Sequence, residues 1–145
     1  MKTPTNIMIH HSAVSRLKNP DQFKANNEYH RKLWNFKSSL GFYLGYHYEI
    51  NNNGLVRQAR ADGEAAAACY QKNMNDGRCI HICLDGNFDL ERPAANQIYA
   101  LRDLMRPLKK RYPITLEAIF FHRQFANKTC PGLKLSLDFI RSLVI

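Results

Sequence analysis

The chain of 145 residues has a mass of 16.8 kDa, which suits one globular domain and excludes two domains of ordinary size. Apolar residues make up 45% and charged residues 23%, so the chain can bury a core and is not of the disordered class. Its 21 lysines and arginines outnumber its 12 aspartates and glutamates. The resulting net charge of +9 predicts attraction to a polyanion: nucleic acid, an anionic membrane or an acidic cell-wall polymer.

The N-terminal segment does not have the sequence features of a targeting signal. A short apolar stretch runs into two histidines, without the apolar h-region and cleavage site of a signal peptide. No apolar run approaches the roughly 20 residues that cross a bilayer. We therefore expect the protein as written to be made in the cytoplasm, with its four cysteines reduced rather than forming a disulfide scaffold.

Strand and helix patterns alternate along the chain. Apolar and β-branched runs predict strands at 7–10, 43–50, 55–60, 80–84 and 116–121. The turn sequence Asn51-Asn52-Asn53-Gly54 joins the second strand to the third. Helical patterns begin near residues 20, 93 and 135. Strands interleaved with helices predict an α/β fold, a single domain over residues 1–145 with a central β-sheet flanked by helices.

Local signals predict where the two long helices end. Asn19 is the predicted N-cap of the first helix, with Gln22 closing a capping box, and Gly41 ends that helix. In the second helix, Pro107 is expected to kink or end the helix near the basic run 106–111.

Three residues are candidate metal ligands: His10, His122 and Cys130. The two histidines each end an apolar strand, where α/β sheets usually place their sites, and Cys130 follows His122 after seven intervening residues. Two imidazoles and one thiolate leave a tetrahedral zinc ion one open position, as a catalytic site requires. A cysteine peptidase that pairs Cys130 with His122 is the alternative, although it gives His10 no role.

Four sequence segments follow one another along the chain: Ile9-His10-His11-Ser12-Ala13, Gly45-Tyr46-His47-Tyr48 with its Asn53-Gly54 turn, Ile82-Cys83-Leu84-Asp85-Gly86-Asn87, and His122 to Cys130-Pro131. Together they resemble the zinc-dependent N-acetylmuramoyl-L-alanine amidases, which include bacteriophage amidase-type lysozymes and the peptidoglycan recognition proteins of animals. The resemblance runs from about residue 7 to residue 133. Lys128, two residues before the cysteine, is similar to the small phage type. The resemblance implies a central mixed β-sheet flanked by helices.

The resemblance also implies roles for five residues. His10, His122 and Cys130 would bind one zinc ion per chain, Tyr46 would lie beside the water that the metal activates, and Lys128 would steady the oxyanion. The chemistry agrees, because zinc lowers the pKa of bound water from about 16 towards 7 and a fixed ammonium stabilises a negative oxygen. A tyrosine, with an ordinary pKa of about 10, orients water better than it acts as a base.

One segment departs from the family pattern. Relatives commonly read Gly-Ala-His-Ala where this chain reads Gly63-Glu64-Ala65-Ala66. The missing histidine is not a metal ligand in relatives but is often near the substrate, so its absence concerns the contacts with substrate. Glu64 and Gln71 are the candidates to fill that space.

Several other residues are predicted to be structural. Cys79, His81 and Cys83 alternate along one strand, where same-face positions lie about 6.6 Å apart. Three such side chains cannot easily share a zinc ion, whose sulfur ligands sit about 4 Å apart, so we predict structural cysteines and an incidental histidine. His47 is predicted to be a structural histidine and Trp34 to belong to the core.

The resemblance predicts hydrolysis of the amide bond between the lactyl group of N-acetylmuramic acid and L-alanine of peptidoglycan, by a phage or prophage endolysin. The alternatives are a non-catalytic peptidoglycan-binding module and a cytoplasmic amidase that recycles wall fragments. The predicted partners are peptidoglycan or muropeptides, with the protein a monomer. Nucleic acid is not expected, because no nucleic-acid-binding signature accompanies the charge. The run 106–111 is a predicted solvated helix end that could also contact an anionic wall or membrane surface.

Overall fold

The computed structural model describes the backbone of residues 1–145 and all side chains except that of Lys72. Five strands and three α-helices are connected by loops and short 3₁₀ turns. The strands are β1 (Asn6–His11), β2 (Tyr48–Ile50), β3 (Val56–Gln58), β4 (Cys79–Leu84) and β5 (Ile119–Phe121), and the helices are α1 (Phe23–Trp34), α2 (Ala95–Arg111) and α3 (Leu137–Ser142). Among the described residues, no helix combines the length and apolar character that crossing a membrane requires.

The five strands form one mixed sheet in the order β3-β2-β4-β1-β5. Strands β2, β4, β1 and β5 run parallel, and β3 returns antiparallel to β2 at one edge. Parallel strands are normally buried on both faces, and every residue of β4 is buried here. The predicted α/β class with a central mixed sheet flanked by helices is therefore confirmed.

The two faces of the sheet differ in chemistry. Side chains alternate between the faces of a strand, so Ile7 and Ile9 of β1 point to one face and Met8 and His10 to the other. The first face forms the main hydrophobic core with the buried residues of α2, including Leu101. The second face carries a smaller cluster of methionine and cysteine side chains, and it is this face that bears His10.

The first helix differs from its prediction at both ends. Asn19 accepts a hydrogen bond from the backbone of Asp21 instead of capping the helix, which begins at Phe23. The Gln22 side chain does not close a capping box, because its amide donates to the carbonyls of residues 14 and 19. At the other end, Asn35 adopts a left-handed conformation with φ of 48° and terminates the helix before Gly41.

Two further element predictions need correction. Only Tyr48–Ile50 of the predicted strand 43–50, and only Ile119–Phe121 of the predicted strand 116–121, pair in the sheet. Helix α2 continues through Pro107 and ends at Arg111, at the end of the basic run 106–111. Met105 and Leu108 on either side of Pro107 are buried in the core, and their packing offsets the roughly 3 kcal/mol that an interior proline costs.

Candidate metal centre

The strand order brings the three candidate ligands together at one edge of the sheet. His10 lies near the end of β1, and His122 follows β5 directly. Since β1 and β5 are parallel neighbours, their carboxyl ends meet at the same edge. The ligand atoms of His10, His122 and Cys130 all lie within 4.8 Å of one another, and Cys130 Sγ is 3.8 Å from His10 Nδ1. The two histidines and the cysteine predicted as ligands thus form one buried cluster.

The loop that carries Cys130 is held by hydrogen bonds to two parts of the chain. The Arg123 backbone N–H donates to the Cys130 carbonyl at 2.8 Å, which closes the segment between the second and third ligands. The Asp89 carboxylate accepts from Thr129 Oγ1 at 2.7 Å and from the Leu133 backbone N–H at 3.0 Å. Hydrogen bonds with Arg123 and Asp89 therefore hold the segment on both sides of the thiol.

Burial keeps the cluster uncharged. Burial and the neighbouring His81 lower the pKa of His10 well below its ordinary value, and burial lowers the pKa of His122 to about 4. Burial raises the pKa of the Cys130 thiol to about 12, although the His11 backbone N–H, 3.4 Å from Sγ, favours the thiolate. The cysteine peptidase alternative gives His10 no role, although His10 Nδ1 lies 3.8 Å from the Cys130 thiol. Neutral imidazoles and a thiol with a thiolate-directed donor do fit a transition metal.

An unpaired atom gives a second test of the fit. His122 Nε2 is buried and has no hydrogen-bond partner among the described residues. An unpaired buried nitrogen is costly unless something else satisfies it. Nitrogen and sulfur donors are the ligands that zinc prefers, and a bound ion would join this nitrogen's side chain to that of Cys130. The residues present therefore fit zinc.

A cavity of about 340 Å³ opens in front of the cluster. Tyr46 and Lys128 both line it, and the Tyr46 ring is 4.9 Å from the His10 ring. Burial raises the pKa of Tyr46 well above its ordinary value, so this side chain holds its proton. The other lining residues are Trp34, Ala67, Ala68, Cys69, Tyr70, Asn75 and His122. Of the five site residues predicted from the sequence, Tyr46, His122 and Lys128 thus line the cavity, and the other two cluster with His122.

The structure corrects two sequence predictions about aromatic residues. Trp34, predicted to be core, is 47% exposed and forms a wall of the cavity. His81, predicted to be incidental, hydrogen-bonds to His10 at 2.8 Å. His47 is fully buried, as predicted, and its Nε2 lies 2.8 Å from the Glu64 carbonyl.

Neither candidate for the place of the missing family histidine lines the cavity. The Glu64 carboxylate accepts hydrogen bonds from the Ser39 backbone N–H. The Gln71 amide is 3.4 Å from the Phe125 carbonyl. The loop from Ala67 to Tyr70 lines the cavity in this region, with two alanines, a cysteine and the Tyr70 ring.

Two buried carboxyl groups lie further along the same sheet. Glu49 Oε1 accepts a hydrogen bond from Asn26, and Asp85 Oδ2 accepts one from the Gln22 backbone N–H. The second oxygen of each carboxyl is buried without a partner among the described residues. Burial, and then the Asp85 charge, raise the pKa of Glu49 well above its ordinary value, while burial raises the pKa of Asp85. The Glu49 carboxyl therefore holds its proton more readily than an exposed glutamate does.

Replacing Glu49 with glutamine is expected to increase the free energy of unfolding at pH 8 by about 1–3 kcal/mol. Raised pKa values mean that the folded protein holds protons that the unfolded chain releases. The contribution of this pair to stability is therefore fully present below a pH of about 4.5 and is lost as the pH rises through the raised pKa values. The amide of glutamine keeps its hydrogens at every pH, so it replaces the proton that Glu49 loses as the pH rises. Urea unfolding at pH 5 and pH 8 measures the effect, and the exposed Glu117→Gln is the control. An equal change at both pH values contradicts the raised pKa of Glu49.

The fold and the cluster together define an α/β protein with a nitrogen- and sulfur-lined site that could hold a transition metal at the bottom of an open cavity. The chain belongs to the N-acetylmuramoyl-L-alanine amidase family, whose sequence profile matches residues 1–133.

Among curated proteins, the chain is similar to peptidoglycan-recognition protein SD of Drosophila simulans, with 28% identity over 109 residues. The aligned part is 73% of this chain and 57% of the relative, so the chain spans little more than half of that relative's length. The same protein of Drosophila melanogaster matches equally well in identity and coverage.

Solved structures show the same fold. The N-acetylmuramoyl-L-alanine amidase LysC from Clostridium intestinale superimposes with a TM-score of 0.79 at 24% identity, over 97% of this chain and 85% of that one. The Ph2119 endolysin of a Thermus scotoductus bacteriophage superimposes with a TM-score of 0.77 at 21% identity, over 99% of this chain and 86% of that one.

Proposed function

We propose that the protein is a zinc-dependent amidase that cleaves the bond between the lactyl group of N-acetylmuramic acid and L-alanine in peptidoglycan. The observation that carries the proposal is the convergence of His10, His122 and Cys130 within 4.8 Å beside a cavity lined by Tyr46 and Lys128. Membership of the amidase family supports the reaction class. In this proposal residues 1–145 form a single catalytic domain that acts as a monomer.

Each residue of the site would have a separate task. The two imidazoles and the thiolate would hold one zinc ion. When bound, that ion would activate water and polarise the scissile carbonyl. Tyr46, which keeps its proton, would donate a hydrogen bond that orients the reacting group. The Lys128 ammonium would stabilise the negative oxygen that develops on the substrate carbonyl.

The substrate would enter through the open cavity in front of the ligands. Trp34 and Tyr70 offer aromatic surfaces there, and Asn75 offers a polar group. A cavity of about 340 Å³ suits part of a muropeptide rather than a whole glycan strand. We therefore propose peptidoglycan, or its soluble muropeptides, as the partner that the protein binds.

A phage or prophage endolysin is the biological role that we propose. The spacing of Lys128 and Cys130, similar to that of small phage amidases, supports it, as does the net charge of +9, which favours an anionic wall. Such a protein would act on the cell wall after release. An amidase that recycles wall fragments in the cytoplasm would prefer soluble muropeptides to intact sacculi, so comparing the two substrates separates these roles.

The second candidate function is peptidoglycan recognition without cleavage. The 28% identity to a peptidoglycan-recognition protein favours it, together with the absence of the family histidine near Ala65.

One experiment decides between the two functions. Purified protein is incubated with defined muropeptides, with a chelator and then with added zinc, and the products are identified by mass spectrometry. Release of intact stem peptide that stops with chelator and returns with zinc supports the amidase. Tight binding without cleavage at full zinc occupancy supports recognition alone.

Replacing Tyr46 with phenylalanine is expected to lower kcat about 10- to 100-fold while zinc binding stays at the wild-type level. The reason is that the substitution removes one hydrogen bond to a group that develops charge, worth about 1.5–3 kcal/mol. Muropeptide cleavage and zinc content measure the two properties. Tyr99→Phe on α2, with a 55% exposed side chain, is the control. Unchanged kcat in Tyr46→Phe would contradict the role.

A further inference from the structure

One buried histidine contacts the candidate metal centre from the sheet side. His81 lies in the middle of β4, next to β1, and is fully buried. Its Nδ1 is 2.8 Å from Nε2 of His10, which is itself only 1% exposed. This contact joins two residues that are 71 positions apart in the chain. His81 therefore touches a candidate ligand directly without belonging to the ligand cluster.

The surroundings of His81 determine which ring nitrogens carry protons. His81 Nε2 lies 2.5 Å from the Met74 carbonyl oxygen, which can only accept a hydrogen bond. His81 Nε2 must therefore carry a proton, and in the neutral ring Nδ1 is then an acceptor. The proton between the two rings consequently belongs to His10 Nε2, which donates to His81 Nδ1. His10 is left with a free lone pair on Nδ1, the atom 3.8 Å from Cys130 Sγ.

His81 is itself held in place by other parts of the chain. Its backbone N–H donates to His47 Nδ1 at 3.0 Å, and the two rings stack with centroids 5.9 Å apart and planes 6° from parallel. The Met74 carbonyl belongs to a 3₁₀ turn in which the Met74 backbone N–H donates to the Gln71 carbonyl. The acceptor that faces His10 is thus fixed by a strand, a stacked ring and a turn.

We propose that His81 is a positioning residue of the metal centre, which holds His10 in the orientation and tautomer that present Nδ1 to the ion. The proposal rests on the zinc site proposed above. Histidines that bind metals nearly always donate their other N–H to an acceptor, and losing that acceptor typically weakens metal binding 10- to 100-fold. That acceptor is commonly a carboxylate, a backbone carbonyl or water. In this chain the acceptor is the imidazole of His81.

A matched pair of variants tests the acceptor separately from the volume of the side chain. Asparagine and leucine are nearly equal in size, and the asparagine Oδ1 takes the place of His81 Nδ1. His81→Leu is expected to bind zinc about 10- to 100-fold more weakly than wild type, while His81→Asn is expected to stay within about threefold of it. Competition with a chromophoric chelator measures zinc affinity without any need for amidase activity. Equal zinc affinities for two folded variants would overturn the proposal.

A control variant and a measurement on the unaltered protein complete the test. His30→Leu also removes a buried histidine acceptor, since His30 Nδ1 accepts from the Gly45 backbone N–H, but His30 does not hydrogen-bond to a candidate ligand among the described residues. It is expected to keep wild-type zinc affinity. In the zinc-loaded wild-type protein, nitrogen-15 NMR of labelled histidines should show His10 protonated on Nε2 and bound through Nδ1. Binding through Nε2 would overturn the proposal even if both variants at position 81 failed to fold.

The outcomes distinguish this inference from the proposed function. A wild-type protein that binds one zinc ion but leaves muropeptides intact would reject the amidase and still allow His81 to be tested. A wild-type protein that binds no zinc would reject both.

A cobalt-substituted protein adds a further measurement, because the absorption of cobalt depends on the arrangement of its ligands. We expect that absorption to change in His81→Leu and to be largely restored in His81→Asn.

Discussion

Replacing Cys130 with serine is expected to abolish amidase activity, to below about 1% of the wild-type rate, and to lower zinc affinity by at least about 100-fold. A serine hydroxyl is a poor zinc ligand in place of a thiolate. Losing a ligand costs more than losing the acceptor behind one, for which 10- to 100-fold is typical. Sγ of Cys130 also receives the His11 backbone N–H at 3.4 Å, a contact suited to a thiolate. Zinc content after dialysis and muropeptide cleavage measure the two losses.

The chain contains a suitable control for this substitution. Cys69 is also buried and lines the same cavity, but it is not one of the clustered ligand atoms. Cys69→Ser is expected to bind zinc like the wild-type protein. A Cys130→Ser variant with wild-type zinc content and activity would show that the cluster is not the metal site, and a Cys69→Ser variant without zinc would show that the assay detects loss of packing.

The strands that carry the site could be predicted from local sequence. Short apolar runs before His10 and His122 predicted both strands, because a buried parallel strand needs a continuous apolar segment, although residues 116–118 of the second run form a 3₁₀ turn. What local sequence cannot show is that the first and last strands are neighbours. The pairing of β1 with β5 joins residues more than 100 positions apart, and that pairing is what brings the two imidazoles together.

Helix ends were predicted less well because tertiary partners outweighed local signals. Gln22 has the spacing of a capping-box residue, yet its backbone N–H donates to the buried carboxyl of Asp85. That bond crosses 63 positions of the chain and contributes a charge-assisted contact that a local cap does not offer. The segment 19–22 therefore serves the packing of the helix against the sheet rather than its nucleation.

The roles of Trp34 and His81 could not be predicted from their neighbours in sequence. A tryptophan is more often a core residue than part of a ligand site, but Trp34 borders the cavity instead. His81 lies between two buried cysteines on its strand, and only the strand pairing and the loop at Met74 show its two partners. Both residues lie on the side of the sheet that bears His10, which the loop 61–77 covers. The sequence of that loop gives only weak signals of secondary structure.

Replacing Lys128 with methionine is expected to lower kcat about 100- to 1,000-fold, the usual effect of removing one group that stabilises a developing oxyanion. Methionine keeps most of the length of the side chain and removes only the charge. Lys128 is exposed on the loop before Cys130, with Nζ 5.8 Å from the Tyr70 ring, so its loss should not destabilise the fold. The Lys128 charge also lowers the pKa of His122, after burial, which shows that its field reaches the ligands.

That field gives Lys128→Met an outcome that separates catalysis from metal binding. Removing a positive charge near a cation site should leave zinc affinity unchanged or slightly higher, whereas activity falls. Lys134→Met, another exposed lysine beyond the ligand loop, is the control and is expected to match the wild-type kcat. A raised KM with unchanged kcat would instead mean that Lys128 binds the substrate in its ground state. Parallel losses of zinc and of kcat would mean that it acts by supporting the metal centre, and an oxyanion role would then be wrong.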